Sequence, residues 1–332
     1  MPKKKVEKKS SHKKLASNNT RLKLIIQINC FNEESSLPIS YKDLPKSISG
    51  IDVIETLIVD DGSSDQTGEI AAQLGVDHII RHNGNRGLPA AVNTGVLKAI
   101  QENADILVNT DADNQYEAKD IAKLVQPIIA QKADYVYGQR PIMDIQEFSS
   151  FKKYLQLAGA KVVGWITKLE LKDAASGFRA MNREAMQKYF LLAQYSSPLE
   201  GLIQAKMKKL SIKIININTN PSIRPSRLFQ SKSKYVFKSA TIILDNILIY
   251  RPLQTFLTLG TIFFLIGIAL TSFRIYLLNF TTTSSDHLTL LMTATITYIL
   301  SIQLYFLGLF ARLQRANKLQ SDEILYRINT KI

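Results

Sequence analysis

"VNTDADNQYEAKD" (residues 108–120) carries an apolar run into two aspartates one residue apart, Asp111 and Asp113, and then into a helical pattern. In extended backbone, residues two apart point to the same side, so both carboxylates aim at one small volume. Two such charges repel unless a cation lies between them. The hard, oxygen-preferring ions Mg²⁺ and Mn²⁺ suit the pair, with substrate phosphates completing their shell. An isolated Asp-x-Asp is equally compatible with a polar turn that caps the next helix, so its surroundings have to decide.

Outward from this stretch, short β-rich runs alternate with amphipathic helical patterns. The runs are "LIIQI" (24–28), "VIETLIV" (53–59), "DHIIR" (77–81), "DILVNT" (105–110) and "DYVYG" (134–138). This alternation predicts an α/β domain with a mostly parallel sheet covered on both faces. Ligands then bind beyond the carboxyl ends of the strands. That edge collects "NCFNEES", "DDGSSDQT" and "DADNQY", which bring Asn32, Glu33, Glu34, Asp60 and Asp61 to the side of Asp111 and Asp113. So much acidity calls for a cation. Arg86, Arg140 and Arg179 supply the opposite sign, a mixture that suits a phosphorylated ligand. No Gly-x-x-x-x-Gly-Lys-Ser/Thr loop occurs, and no Gly-x-Gly-x-x-Gly follows the first strand, which disfavours an NTPase or a dinucleotide enzyme. Further along, residues 149–168 read as a helix, Asp173 to Met181 as a turn into a strand, and "PLEGLIQAKMKKLSIKIININT" as a helix followed by an edge strand.

Net charge is +14, and its distribution matters more than its size. Seven lysines lie in the first 14 residues with almost no apolar partner, so residues 1–20 are expected to be a disordered basic tail. No apolar run follows them, and no signal peptide is expected. The other basic clusters flank two long uncharged stretches, Leu253 to Phe273 and Leu288 to Ala311. Each stretch exceeds the roughly 20 residues that cross a bilayer as helix. Lys232, Lys234, Lys238 and Arg251 precede the pair, and Arg312, Arg315 and Lys318 follow it. The positive-inside rule then predicts a multi-pass membrane protein with its soluble domain on the cytoplasmic side. Without an aromatic-basic platform, no nucleic-acid partner is expected. A single cysteine, Cys30, excludes an internal disulfide and a cysteine-built zinc site. The segment before the first span, residues 231–251, combines basic residues with an apolar face and reads as an interfacial amphipathic helix.

The segments "INCFNEESSLP", "LIVDDGSSDQT", "HNGNRGLPAAVNTG", "NTDADNQY", "YGQR" and "DAASGFRAMNREA" resemble, in order and spacing, the successive motifs of family 2 glycosyltransferases. They most resemble the branch that holds dolichyl-phosphate mannose synthase and the polyprenyl-phosphate hexose transferases. The resemblance covers roughly residues 22–235. It implies a GT-A domain over 21–230, beside which the apolar runs and their basic flanks place spans at 252–275 and 287–311 and a cytoplasmic tail at 312–332. It further implies an inverting, metal-dependent transfer of a hexose from a nucleotide-diphosphate sugar to a membrane polyprenyl phosphate. By the same resemblance, Phe31, Glu33, Val59, Asp61 and Asp111 bind the nucleotide sugar, and Arg86, a basic residue of the same edge, is placed with them. Asp111, Asp113 and Gln115 hold Mg²⁺ or Mn²⁺, and Arg140 meets the diphosphate. Asp113, Arg140 and Asp173 form the catalytic set, and Arg179, Glu200, Arg227 and Lys234 the acceptor side.

Two departures from the family pattern stand out. Its Pro-x-Tyr-Asn-Glu is Asn29-Cys30-Phe31-Asn32-Glu33 here, which keeps base stacking and loses a phenol hydroxyl. Its basic acceptor segment is matched only at the ends of "RPSRLFQSKSKY". Two alternatives stay open. If the acceptor is a sugar hydroxyl, Asp173 or Glu200 would serve as base. If the fold is retained without chemistry, the chain is a non-catalytic nucleotide-binding membrane protein. A homo-oligomer is left open.

Overall fold

The computed structural model describes residues 21–146, 148–191, 197–221, 251–278 and 284–329, with single positions between 241 and 248. The basic tail at 1–20 lies outside the described residues, as do Arg227, Lys234 and most of the segment read as interfacial.

The chain runs β1 (Lys23–Cys30), α1 (Leu37–Lys42), β2 (Val53–Asp60), α2 (Thr67–Gln73), β3 (His78–Arg81), α3 (Leu88–Gln101), β4 (Ile106–Asp111), α4 (Asp120–Ile129) and β5 (Tyr135–Gln139). It continues through α5 (Ser150–Thr167), β6 (Arg179–Asn182), α6 (Arg183–Lys188), α7 (Ser197–Met207) and β7 (Ile212–Asn216). Two long helices follow, α8 (Pro252–Leu278) and α9 (Ser284–Asn329). The strands form one sheet in the order β3-β2-β1-β4-β6-β5-β7. β6 runs antiparallel to both its neighbours, and every other pairing is parallel. All five strands expected from the β-rich runs form within a residue or two of their limits.

β1 is buried along nearly its whole length because helices cover both faces of the sheet. On one face Ile25, Leu57, Leu107, Tyr135 and Met181 pack under α3, α5, α6 and α7. On the other, Leu24, Ile26, Val108 and Val136 pack against α4, while Ile28 and Ile58 meet α1 and α2. At the ligand end the first face turns polar. Gln27 Nε2 donates to Asn29 Oδ1 (2.8 Å), Asn29 Nδ2 to Asn109 Oδ1 (2.9 Å), and Asn109 Nδ2 to the Gly177 carbonyl (2.9 Å). This buried amide chain ties β1 and β4 to the loop that precedes β6.

α8 and α9 are each long and apolar enough to cross a membrane, and only 11% and 17% of their most apolar windows are buried. A core helix of a soluble domain would be mostly covered, so these faces need another apolar medium. The helices pack antiparallel. A Cβ on Gly260 would strike the ring of Tyr305 and one on Gly267 the ring of Tyr298, while Phe264 meets Tyr298 edge-on at 5.6 Å. Small residues let helix backbones approach where lipid offers no hydrophobic drive. The second apolar helix was expected to give way to a tail after residue 311. It continues to Asn329 instead and touches α6, because no glycine or proline follows Gly308 to stop it.

Candidate active site

Register brings the acidic loops together. Asn29 pairs with Asp111 across β1 and β4, and Cys30 with Asp60 across β1 and β2, so three loops leave the sheet edge side by side. After Asp111, Ala112 turns into the core, and Asn114 takes a left-handed φ of 56°. That turn leaves Asp113 and Gln115 half-buried at the rim, with the Gln115 amide donating to Asp113 Oδ1 at 3.2 Å.

Asp111 is the electrostatic centre. Burial and the charge of Asp113, with a smaller push from Glu33, raise its carboxyl to about 7 against the pull of Arg179 and Arg140. A carboxyl held this far above its ordinary value is a place where positive charge is missing. Among the described residues no three His, Cys, Asp or Glu side chains form a closed metal cage. Two carboxylates are what Mg²⁺ or Mn²⁺ takes from a protein when substrate phosphates and water fill its remaining positions, so the donor set fits such an ion.

The wall behind Asp111 is the loop before β6. The Gly177 amide donates to Tyr116 Oη at 2.8 Å, and Tyr116 stacks on Phe178 with ring centroids 5.0 Å apart. A Cβ on Gly177 would lie 2.9 Å from Asp111 Oδ2, so this backbone approaches the carboxylate as only glycine permits. Arg140 follows β5. Its Nε donates to Asp173 Oδ2 (2.8 Å) and its Nη2 to Asp173 Oδ1 (3.1 Å), a bidentate pair with Asp173 fully buried. Asp173 Oδ1 also accepts from the Ala175 amide at 2.9 Å.

The other residues singled out in the sequence divide into three groups. Phe31 stands 39% exposed at the rim, Arg86 is exposed, and the buried Glu33 accepts from Ser36 Oγ at 2.5 Å. Asp61 is buried and turned toward the loop after β3. It accepts from His82 Nδ1 (2.7 Å), from the Arg86 amide (3.0 Å) and from the Gly87 amide (2.7 Å). Val59 was expected against base and ribose, but its side chain is sealed in the core under α3 and has no exposed surface. Arg179 was expected at the acceptor and is also fully buried, its guanidinium 5.2 Å from the Tyr189 ring centroid. Glu200, 3% exposed, accepts from Gln204 Nε2 at 3.0 Å.

The sequence profile described as Glycosyl transferase family 2 matches residues 25–190, half of the 332-residue chain. The chain belongs to this family. It is a glycosyltransferase with a GT-A-type α/β domain followed by two apolar helices. A family 2 relative, the UDP-N-acetylglucosamine–dolichyl-phosphate N-acetylglucosaminyltransferase of Methanococcus voltae, is 31% identical over 58% of this chain and 83% of its own length. The polyprenol monophosphomannose synthase of Mycolicibacterium smegmatis is 25% identical over 51% of this chain and 65% of its own length. Among solved structures, glucosyl-3-phosphoglycerate synthase from Mycobacterium tuberculosis, crystallised with Mn²⁺ and UDP, superposes with a TM-score of 0.51. It is 18% identical and covers 67% of this chain and 80% of its own, a likeness of fold.

Within this family 2 site, sequence reasoning missed His82, Tyr116, Asn109 and Gly177. His82 reads as a loop histidine, yet it is buried between Asp61 and Thr94, whose Oγ1 lies 3.0 Å from Nε2. The one signal for Gly177 is its place in "ASGFR", a run of small residues before a buried strand.

Proposed function

We propose that this glycosyltransferase moves a hexose from a nucleotide-diphosphate sugar to a polyprenyl phosphate in the membrane, with inversion at the anomeric carbon. The observation that carries this reading is the Asp111–Asp113 edge, short of positive charge and faced by Arg140, in a domain that Arg251, the residue before α8, hydrogen-bonds at the Trp165 and Ile166 carbonyls. The named acceptors of the Methanococcus and Mycolicibacterium relatives support it.

In this reading an oxygen of the lipid phosphate attacks the anomeric carbon as the bond to the nucleoside diphosphate breaks, and the diphosphate departs with the bonding pair. A phosphate monoester has a second pKa of about 6, so it is already nucleophilic at neutral pH and needs no base. Arg140 meets the growing charge on the diphosphate. Asp173, with both oxygens engaged, aims Arg140 instead of taking a proton. Phe31 offers its exposed ring to the base, while Asp61 shapes the 82–87 loop from beneath. Mg²⁺ or Mn²⁺ on Asp111 and Asp113, with Gln115 beside them, would supply charge neutralisation for the diphosphate. The site would face the cytoplasm, where both basic flanks of the spans are retained.

The test incubates membranes holding the full chain with radiolabelled nucleotide sugars, with and without Mn²⁺, and extracts the lipid phase. Metal-dependent label in a mild-acid-labile lipid, lost in Asp113→Ala, is the expected result. Label confined to an aqueous or polymeric fraction would move the acceptor to a sugar hydroxyl. No label from any donor would favour a non-catalytic protein.

A further inference from the structure

α5 presents an outward stripe that the catalytic reading leaves unused. Phe151, Tyr154, Ala158, Lys161, Trp165 and Lys168 recur at spacings of three and four, and all six are exposed. The three aromatic rings are 53%, 65% and 57% exposed, while Ala160, Val163 and Ile166 on the opposite side are buried in the core. Eighteen residues of helix hold this stripe along about 27 Å at 1.5 Å per residue. Large rings set in a row along one helix face are an uncommon display for a surface bathed in water.

We propose that α5 lies flat on a bilayer bearing anionic lipid, with Phe151, Tyr154 and Trp165 immersed among the head groups. The proposal rests on α8 being a membrane span, and the contact between the two helices supplies the geometry. Arg251 is the residue immediately before α8, and its guanidinium sits 4.6 Å from the Trp165 ring centroid. Its Nη2 donates to the carbonyls of Trp165 (3.1 Å) and Ile166 (2.7 Å). The C-terminal end of α5 is therefore clamped to the point where the chain enters the span. The chemistry of the stripe fits that level. Aromatic side chains gather at the membrane–water boundary, and Lys161 and Lys168 alternate with them to meet anionic head groups. The same helix follows Arg140 in the chain, so its seat on the lipid would set the height of the reactive edge above the bilayer.

Trp165 is the sole tryptophan, so the full-length chain carries its own reporter. Reconstituted in bilayers of phosphatidylcholine and phosphatidylglycerol, its emission is expected to be quenched by lipids brominated near the head group. Acrylamide should quench it less than it quenches free N-acetyltryptophanamide. In Lys161→Glu/Lys168→Glu, quenching by the brominated lipids should fall and acrylamide access should rise. Trp165 as open to acrylamide as the free indole, and indifferent to brominated lipid, would overturn the proposal. Shielding from both quenchers would also overturn it, because a protein surface would then be the cover. Extraction with alkaline carbonate separates the two readings. Release of the chain would sink the span and the proposal with it, whereas retention with a wet Trp165 would sink the proposal alone.

Discussion

Arg140 and Asp173 form a two-pronged ion pair, Nε to Oδ2 at 2.8 Å and Nη2 to Oδ1 at 3.1 Å, across 33 residues of sequence. The pair joins the end of β5 to the loop before β6, and Asp173 has no exposed surface. Breaking a buried pair by removing one partner costs about 3–5 kcal/mol, because the survivor stays buried and charged. Asp173→Asn is expected to lose stability on that scale. Its kcat should fall roughly 10²–10³-fold, the usual effect of losing one aimed donor to a developing charge. Since the two residues act as a unit, Arg140→Ala/Asp173→Asn should be little slower than Arg140→Ala, which a double-mutant cycle on kcat would measure.

The Asp111 carboxyl sits at about 7 in the folded, metal-free chain, against about 3.9 when unfolded. Below both values it is protonated in either state. As pH rises through about 7, the folded chain must hold a charge that its surroundings disfavour, so this group's contribution to stability is full at low pH and lost on the alkaline side. The metal-free protein is expected to melt progressively lower from about pH 4 to about pH 7 and to level off above it. Asp113→Asn removes the like charge, so its melting temperature should depend less steeply on pH even as its activity is abolished.

Metal uptake should release protons, because the ion takes the carboxylate and not the acid. Release is expected to be larger at pH 6 than at pH 8, with apparent Mn²⁺ affinity rising to about pH 7 and levelling above it. Calorimetry in buffers of differing ionisation enthalpy reads this directly. Equal release at both pH values would show that Asp111 is already ionised without metal.

Gly177→Ala places a methyl group 2.9 Å from Asp111 Oδ2, between two elements that cannot both retreat. Overpacking of this kind costs about 1–3 kcal/mol. The variant is expected to fold, with Mn²⁺ dependence shifted to higher concentration more than its melting temperature is lowered. Titrating activity against Mn²⁺ beside a thermal scan separates the two effects.

Between α8 and α9, Gly260→Leu would drive a side chain into Tyr305. The two helices are expected to part and the detergent-solubilised protein to melt at lower temperature. Leu265→Ala, on the exposed side of the same helix, should change little.

The sheet was legible because strands buried on both faces write themselves as unbroken apolar runs, and the Asp-x-Asp at the end of one of them marked the working edge. Contacts between distant segments were not legible. Asp173 stood out as an acid, but its grip on Arg140 depends on two loops that meet only once β5 and β6 pair. Asp61 and Val59 were read as neighbours of one nucleotide, yet β2 ends at Asp60, so Val59 keeps the facing of the strand while Asp61 already lies in the turn. Val59 went to the core, and Asp61 went to the amides of the loop after β3. The charges after residue 311 marked the end of an apolar run and not the end of the helix, because arginine and lysine are good helix formers.

Arg251 is bonded to the Trp165 and Ile166 carbonyls of the catalytic domain, and Pro252, the next residue, already belongs to α8. For a lipid acceptor, a domain held at that point meets its partner by diffusion within a plane. The rate then follows the acceptor's mole fraction in the bilayer and not its concentration in the vessel. Adding inert phospholipid at constant total acceptor should slow turnover, and adding buffer should not.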